Sequence, residues 1–336
     1  MIFRSAADEG LGAVFGGHSN AITTPDYTYY FSATVPERAL RVAARLTRAV
    51  LAPAFPVSAV ALEKRVLERE MAFWDESPMT LIGRSVVSRL GVSDDVLAML
   101  APTRRSLAAI GPADPAAFHA RHYVPQNMIL YLSGDLGTAL GVPATLDAFP
   151  QALFERPDVH RPRPRALPFP GLERVMRFRT MTSRTYAGII VITPGWLQCR
   201  PEETALVEEL LGGRLNGRLA IRLREETGIT DDILKPGDLG VVGPLRFSDA
   251  GIAGVAVIAP GSRSRRVRLI LSEALRGVAG GETTDVELRL ALRSAGLSEL
   301  LRLQEPHERG IFYCTELCAG RTRTVNAYID SFDAMS

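Results

Sequence analysis

The chain has 336 residues, a length that corresponds to about two domains, with 46% apolar and 23% charged residues, the balance of an ordinary globular protein. A formal net charge of +2 implies neither a nucleic-acid nor a membrane partner, and no Lys/Arg run forms a basic tail, so neither partner is expected. No apolar run reaches spanning length and no charged start leads into an apolar signal stretch, so a cytoplasmic location is the expectation.

In chain order, Tyr27–Thr34 (YTYYFSAT) reads as a strand, and Pro36–Leu51 as a helix with proline in its first turn. Val57–Glu76 reads as a second helix. Asn127–Ser133 (NMILYLS) reads as a strand that stops at Gly134-Asp135. Residues 155–171 (ERPDVHRPRPRALPFPG) are rich in proline and arginine, which suits a semi-rigid linker and excludes a packed helix or central strand. Beyond it, Thr185–Thr193 reads as a strand, Pro201–Leu211 as a helix stopped by Gly212-Gly213, and Leu215–Glu226 as another helix. Ile252–Ile258 is a further strand and Arg265–Val278 a further helix. The two halves repeat one grammar: strand, long amphipathic helices, more strands.

The helix at 57–76 carries the strongest chemical signal. At 100° per residue, Val60, Leu62, Val66, Leu67, Met71, Phe73 and Trp74 fill one broad arc, and Lys64, Arg65, Glu68, Arg69, Asp75 and Glu76 the other. Glu63 and Glu70 fall within the apolar arc, two turns apart and one above the other. A carboxylate facing a core is costly unless it is paired, hydrogen-bonded or bound to a cation. Pairing with some of the many arginines is the plain account; a cation site is the other.

Weaker signals come from elsewhere. Three cysteines make no disulfide framework; Cys314 and Cys318 are spaced to share a helix face near His307, but a metal there needs a fourth ligand, so buried thiols are expected. His119 and His122 share a helical turn with no glutamate between them. His18 reads as a loop residue and His160 lies in the linker. Gly213, Gly217 and Gly228 are not followed by Gly-Lys-Ser/Thr and make no phosphate loop.

Four segments together resemble the M16 (pitrilysin or insulinase-like, mitochondrial-processing-peptidase-like) zinc metallopeptidases. Gly16 to Tyr30 (GGHSNAITTPDYTYY) is similar to the family's G-G-x-x-N-A-x-T-x-x-D-x-T-x-Y stretch. Glu63–Met71 resembles its acidic helix, with two glutamates seven apart. His122–Met128 followed by Gly134-Asp135 resembles the close of the first domain. Leu210–Gly228 (LLGGRLNGRLAIRLREETG) resembles the second domain's L-G-G…R-L…L-R-E-x-x-G signature.

The resemblance implies an α+β fold of two homologous domains, 1–154 and 172–336, joined by 155–171. Each is a mainly antiparallel sheet packed against helices. It also implies a zinc-dependent endopeptidase acting on short extended peptides. Glu70 would be the third zinc ligand, and Glu63 would orient a ligand histidine through its other ring N–H. Asn20 and Ala21 would lie alongside the scissile region on an edge strand, and Arg224 would help to hold substrate.

Two departures limit that expectation. The family's H-x-x-E-H zinc motif is absent from the 336 residues. The opening Met1-Ile2-Phe3 matches what commonly follows its second histidine, so a truncated start is expected, and a subunit that has lost the motif is the alternative. In addition, the family's substrate-holding tyrosine position is Asp231 here. No catalytic residue is therefore assigned, and the chain alone is expected to be inactive. The expected partner is a second M16-like subunit, giving a heterodimer, or a second copy giving a homodimer. The alternative function is a non-catalytic peptide-binding or scaffold subunit.

Overall fold

The structure, a computed structural model, is described for residues 18–24, 26–76, 103–134, 185–213, 217–229, 233–234, 245–246, 250–259 and 261–335. The linker at 155–171, Gly16, Gly17, His160 and Asp231 lie outside the described residues. The chain divides into two compact units: Met1–Ala72, Pro102–Pro162 and Gln304–Thr322 form the first, and Phe73–Ala101, Arg163–Leu303 and Arg323–Ser336 the second.

The first unit begins with an antiparallel hairpin, β1 (His18–Thr23) and β2 (Thr28–Ala33), in register from His18↔Ala33 to Thr23↔Thr28. Thr24 closes its turn: the Thr24 N–H and hydroxyl both donate to the Tyr27 carbonyl at 2.8 Å. A 3-10 turn at Pro36–Arg38 leads into α1 (Ala39–Leu51), whose face Val42, Ala43, Thr47 and Val50 is buried. Then come α2 (Val57–Glu76), α3 (Arg104–Ala109) and α4 (Asp114–His122). Thr103 and Ser106 close a reciprocal cap on α3, each side chain accepting from the other's backbone N–H at 3.0 Å.

The strand expected at Asn127–Ser133 is absent among the described residues. Pro125–Asn127 forms a 3-10 turn, and residues 128–133 pair with no described strand. Ile129 and Leu130 are 41% and 39% exposed, and Tyr131 stacks on Tyr313 at 5.5 Å. Tyr313 belongs to a late helix that returns to this unit.

The second unit holds β3 (Thr185–Pro194), β4 (Ile233–Leu234), β5 (Leu245–Arg246) and β6 (Ala250–Ala259), all paired antiparallel to β6 in the order β3-β6-β4, with β5 also on β6. Its helices are α5 (Pro201–Gly212), α6 (Arg218–Ala220), α7 (Ser264–Ala279), α8 (Asp285–Arg302) and, after the first-unit helix α9 (Pro306–Cys318), α10 (Val325–Asp333). Of the helix expected at Leu215–Glu226, Leu215 and Asn216 lie outside the described residues, and Arg218–Glu226 is helical but changes pitch. A π-helical turn at Ile221–Glu226 follows α6, and Thr227 Oγ1 donates to the carbonyls of Arg222 and Leu223 at 2.8 and 3.1 Å. Gly228, at φ +57, then ends the segment in the left-handed region that suits glycine.

Leu211, Leu219, Leu223, Val257, Val267, Ile270, Leu271 and Ala274 make the core of this unit. Each fully buried aliphatic there contributes roughly 1.5–3 kcal/mol relative to exposure. α8 lies against α5 and α10, with Gly296 admitting Phe332. Both units are helices packed with antiparallel strands, the α+β class.

Candidate functional site

The acidic helix forms over its expected span, but its inner face is narrower than the sequence arc. Val60 and Met71 are buried at 4% each, with Leu67 half-buried between them. Lys64, placed on the polar side by periodicity, is turned inward. Its Nζ donates to the carbonyls of Ala108 and Ile110 at 3.2 and 2.7 Å. That contact satisfies carbonyls at the end of α3 and fixes the rotation of α2. Leu62 is consequently 44% exposed.

Glu63 and Glu70 therefore stand on a shoulder of the helix and not in the middle of its buried arc. Glu63 is half-buried with Oε2 shielded from solvent. Glu70 is exposed. The two remain on one side of α2, two turns apart, but only Glu63 meets the protein interior.

A hydrolytic zinc takes three protein ligands and keeps a position for water. Among the described residues no three His, Cys, Asp or Glu side chains converge. The described histidine side chains are committed to other contacts. His119 Nε2 bonds the Val50 carbonyl at 2.7 Å, at the end of α1, and its ring stacks on Tyr123 at 4.7 Å. His122 lies against Phe118 at 4.4 Å, and His307 stacks on Phe31 at 5.0 Å. The described donor set does not fit zinc, and no chemical step through it follows from these residues.

Cys314 and Cys318 share one face of α9, as expected. Burial, and then the neighbouring Cys318, push the Cys314 thiol up to about 11, and burial raises that of Cys318. Such thiols stay protonated, apolar and inert near neutrality.

The hairpin has more capacity for recognition. Asn20 is exposed and Ala21 half-buried on β1, opposite Phe31 and Tyr30 respectively. Among the described residues β1 pairs only with β2. Its Ala21 N–H is held by the Asn20 side chain, Oδ1 accepting at 2.8 Å. A side chain that caps its own strand's amide blunts an edge and can be displaced by an incoming strand. Sequence reading placed Asn20 and Ala21 here but missed this local bond; an Asn-Ala step on an edge strand is the signal for it.

The face of the hairpin that carries Ala21 is clamped. Tyr30 and Tyr123 hydroxyls lie 3.0 Å apart, and Ser19 and Ser32 hydroxyls 2.8 Å apart. Desolvation, followed by the bond to Tyr123, holds the Tyr30 phenol well above its usual range.

Arg224 is in the second unit, on the π-helical turn. Its side chain is 46% exposed, with Glu225 at 3.7 Å. The wide turn turns Arg224, Glu225 and Glu226 outward while Leu223 is fully buried. The guanidinium is accessible to a ligand, although no described acid holds it tightly.

Comparison with known proteins gives one consistent picture. Residues 110–276 match the model of the peptidase M16 inactive domain. An uncharacterized zinc protease of Mycobacterium leprae is 27% identical over 305 residues, covering 90% of this chain and 66% of its own length. One from Mycobacterium bovis is 23% identical over 308 residues, covering 91% of this chain and 68% of its own. The chain thus spans about two thirds of these relatives. Among solved structures, a protease from Helicobacter pylori superposes with a TM-score of 0.74 at 15% identity, over 100% of this chain and 78% of that one. A peptidase M16 inactive domain from Pseudomonas fluorescens gives 0.67 at 18% identity, over 100% and 76%.

Proposed function

The chain belongs to the M16 peptidase family, and from that premise we propose that it is a non-catalytic, peptide-holding subunit of an M16 assembly, completed by a second M16-like subunit. The observation that carries this reading is the β1 edge, where, among the described residues, the Ala21 N–H is held only locally, by Asn20. An extended peptide laid along β1 takes over that amide and gains backbone bonds with little demand on its sequence. The match of residues 110–276 to the peptidase M16 inactive-domain model supports this reading.

The test uses the purified chain and a short, proline-free, fluorescein-labelled peptide. Binding without cleavage is expected, by anisotropy and by mass spectrometry of the recovered peptide. Ala21→Pro deletes the edge donor at a position a proline tolerates, because that N–H lies outside the β1–β2 ladder. It should weaken binding about tenfold. Cleavage by the wild-type chain, or equal binding by the proline variant, would overturn the proposal.

A second reading is a metal-bearing peptidase subunit hydrolysing short extended peptides. One observation favours it: Glu63 keeps Oε2 shielded on the same shoulder as Glu70. Here zinc would be held by Glu70 with ligands from beyond the described residues, and Glu63 would support one of them. Stoichiometric zinc in the purified chain that is lost in Glu70→Gln would establish it; zinc content unaffected by that substitution would end it.

A further inference from the structure

Helix α8 is packed inside out. It buries its small residues, Ala291, Ala295 and Gly296, together with Leu292, against α5 and α10. Five of its seven larger aliphatic residues face solvent, all but Leu288 and Leu292: Val286 is 58% exposed, Leu290 45%, Leu297 56%, Leu300 41% and Leu301 55%. Single exposed leucines are ordinary, but a contiguous row is not. Residues 286, 290, 293, 297 and 300 follow each other at steps of four, three, four and three, the spacing of a coiled-coil seam, over about 20 Å of helix.

The charges along this seam are one-sided. Arg293 occupies a seam position and Arg289, one turn earlier, lines the same flank. Both are exposed, and neither has an ion pair or hydrogen bond among the described residues. The opposite flank carries Ser294 and Ser298. The helix's own acids are engaged elsewhere: Glu287 accepts from Arg218 at 3.0 Å, and Glu299 from Arg302 at 2.6 Å and from the Tyr328 hydroxyl at 3.1 Å. Asp285, at the helix start, is the remaining exposed acid.

We propose that this face of α8 docks an amphipathic helix of a different protein, one with an aliphatic seam and carboxylates along a single flank. A second copy of this chain is the poorer occupant. Antiparallel self-pairing that overlays the two aliphatic rows brings Arg293 beside its own counterpart and offers Arg289 a serine, so like charges meet with no acid to offset them. A lipid surface is poorer too, since the seam is narrow, carries no aromatic residue and is basic on one flank only. The proposal is independent of the peptide-holding role of β1.

The probe is a lactam-stapled, fluorescein-labelled helix of three heptads with leucine at its seam and glutamate on one flank; a control has lysine on that flank. Anisotropy with the full chain should show the glutamate probe binding about tenfold tighter than the lysine probe. The gap should narrow in 1 M NaCl, where the screening length falls to about 3 Å. The Arg289→Glu/Arg293→Glu variant should reverse the preference, and Leu290→Lys/Leu297→Lys should abolish binding of both. All four positions are exposed, so these variants keep the fold. Equal affinity for the two probes, or no binding of either, overturns the proposal. So does a wild-type dimer that Leu297→Lys dissociates, which would identify the occupant as a second copy. Co-sedimentation with phosphatidylglycerol vesicles that Leu297→Lys abolishes would reassign the face to a membrane.

Discussion

Replacing Arg323 by alanine isolates the cost of one buried carboxylate. Glu202 has 2% of its side chain exposed, and its Oε1 accepts from Arg323 Nη1 at 2.8 Å. Its Oε2 is buried with no hydrogen-bond partner. Removing the guanidinium leaves the charge inside the protein with nothing to offset it, which costs about 3–5 kcal/mol for a buried pair. Glu202 lies in the first turn of α5, where the helix dipole returns about 0.3–1 kcal/mol. Arg323 also lies over the Tyr328 ring at 5.5 Å, and that contact, of about 0.5–1 kcal/mol, is lost as well. The two small effects roughly cancel, so Arg323→Ala should cost about 3–5 kcal/mol. Glu202→Gln should cost less, because Arg323, at 24% exposure, can turn toward water. The double variant should therefore be more stable than the sum of the single losses implies, by about 1–3 kcal/mol of coupling. Urea unfolding of all four proteins, followed by circular dichroism, measures this. Strict additivity, or a loss under about 1 kcal/mol for Arg323→Ala, would show that Glu202 does not depend on its partner.

Three further outcomes are expected. The hydrogen bond from Arg218, then that from the Thr284 backbone N–H, lowers the pKa of Glu287. A depressed folded-state pKa contributes stability above the ordinary carboxylate range and loses it as pH falls through the folded value. Glu287→Gln should accordingly flatten the acid limb of a melting-temperature profile, and an unchanged limb would refute this. At pH 8 a thiol raised to about 11 is thiolate in only about one part in a thousand, so iodoacetamide should leave Cys314 largely unmodified there and label it increasingly as the pH is raised, as read by peptide mass spectrometry; ready labelling at pH 8 would refute this. Two helical glycines should respond oppositely to alanine. At Gly296 a new Cβ meets Phe332 at an ordinary 3.4 Å, and the variant should gain about 0.5–1 kcal/mol from helix propensity. At Gly277 the same atom would lie 2.6 Å from Arg218 Nη1, which is pinned by Glu287 and by the Glu282 carbonyl, so that variant should lose stability in the same unfolding assay.

Much of the fold was legible because its signals are local. The hairpin strand β2, helices α1, α2, α5 and α7, and strands β3 and β6 form within three residues of the spans that periodicity, Pro36, Pro201 and the turn residues mark. Where the reading failed, a distant partner decided. Residues 128–133 have the apolar content of a strand, yet they pair with no described strand, and Tyr131 packs against Tyr313, far along the chain. The helix read at Leu215–Glu226 changes pitch because Thr227 bonds two carbonyls at once, a competition invisible to a 3.6-residue period.

The candidate site follows the same rule. That Glu63 and Glu70 share one side of α2 is a property of the helix and could be read from spacing. How deep that side sits is set by Lys64, which reaches carbonyls more than forty residues away and turns Glu70 to solvent. The exposed seam on α8 runs the other way. Its four-three spacing stands in the sequence as plainly as that of any buried helix. Periodicity reports that a face is apolar, and only packing reports whether the protein uses that face itself. On α8 the neighbours α5 and α10 are met by alanine, glycine and Leu292, which leaves the other leucines, and two arginines with no acid partner among the described residues, on the solvent side.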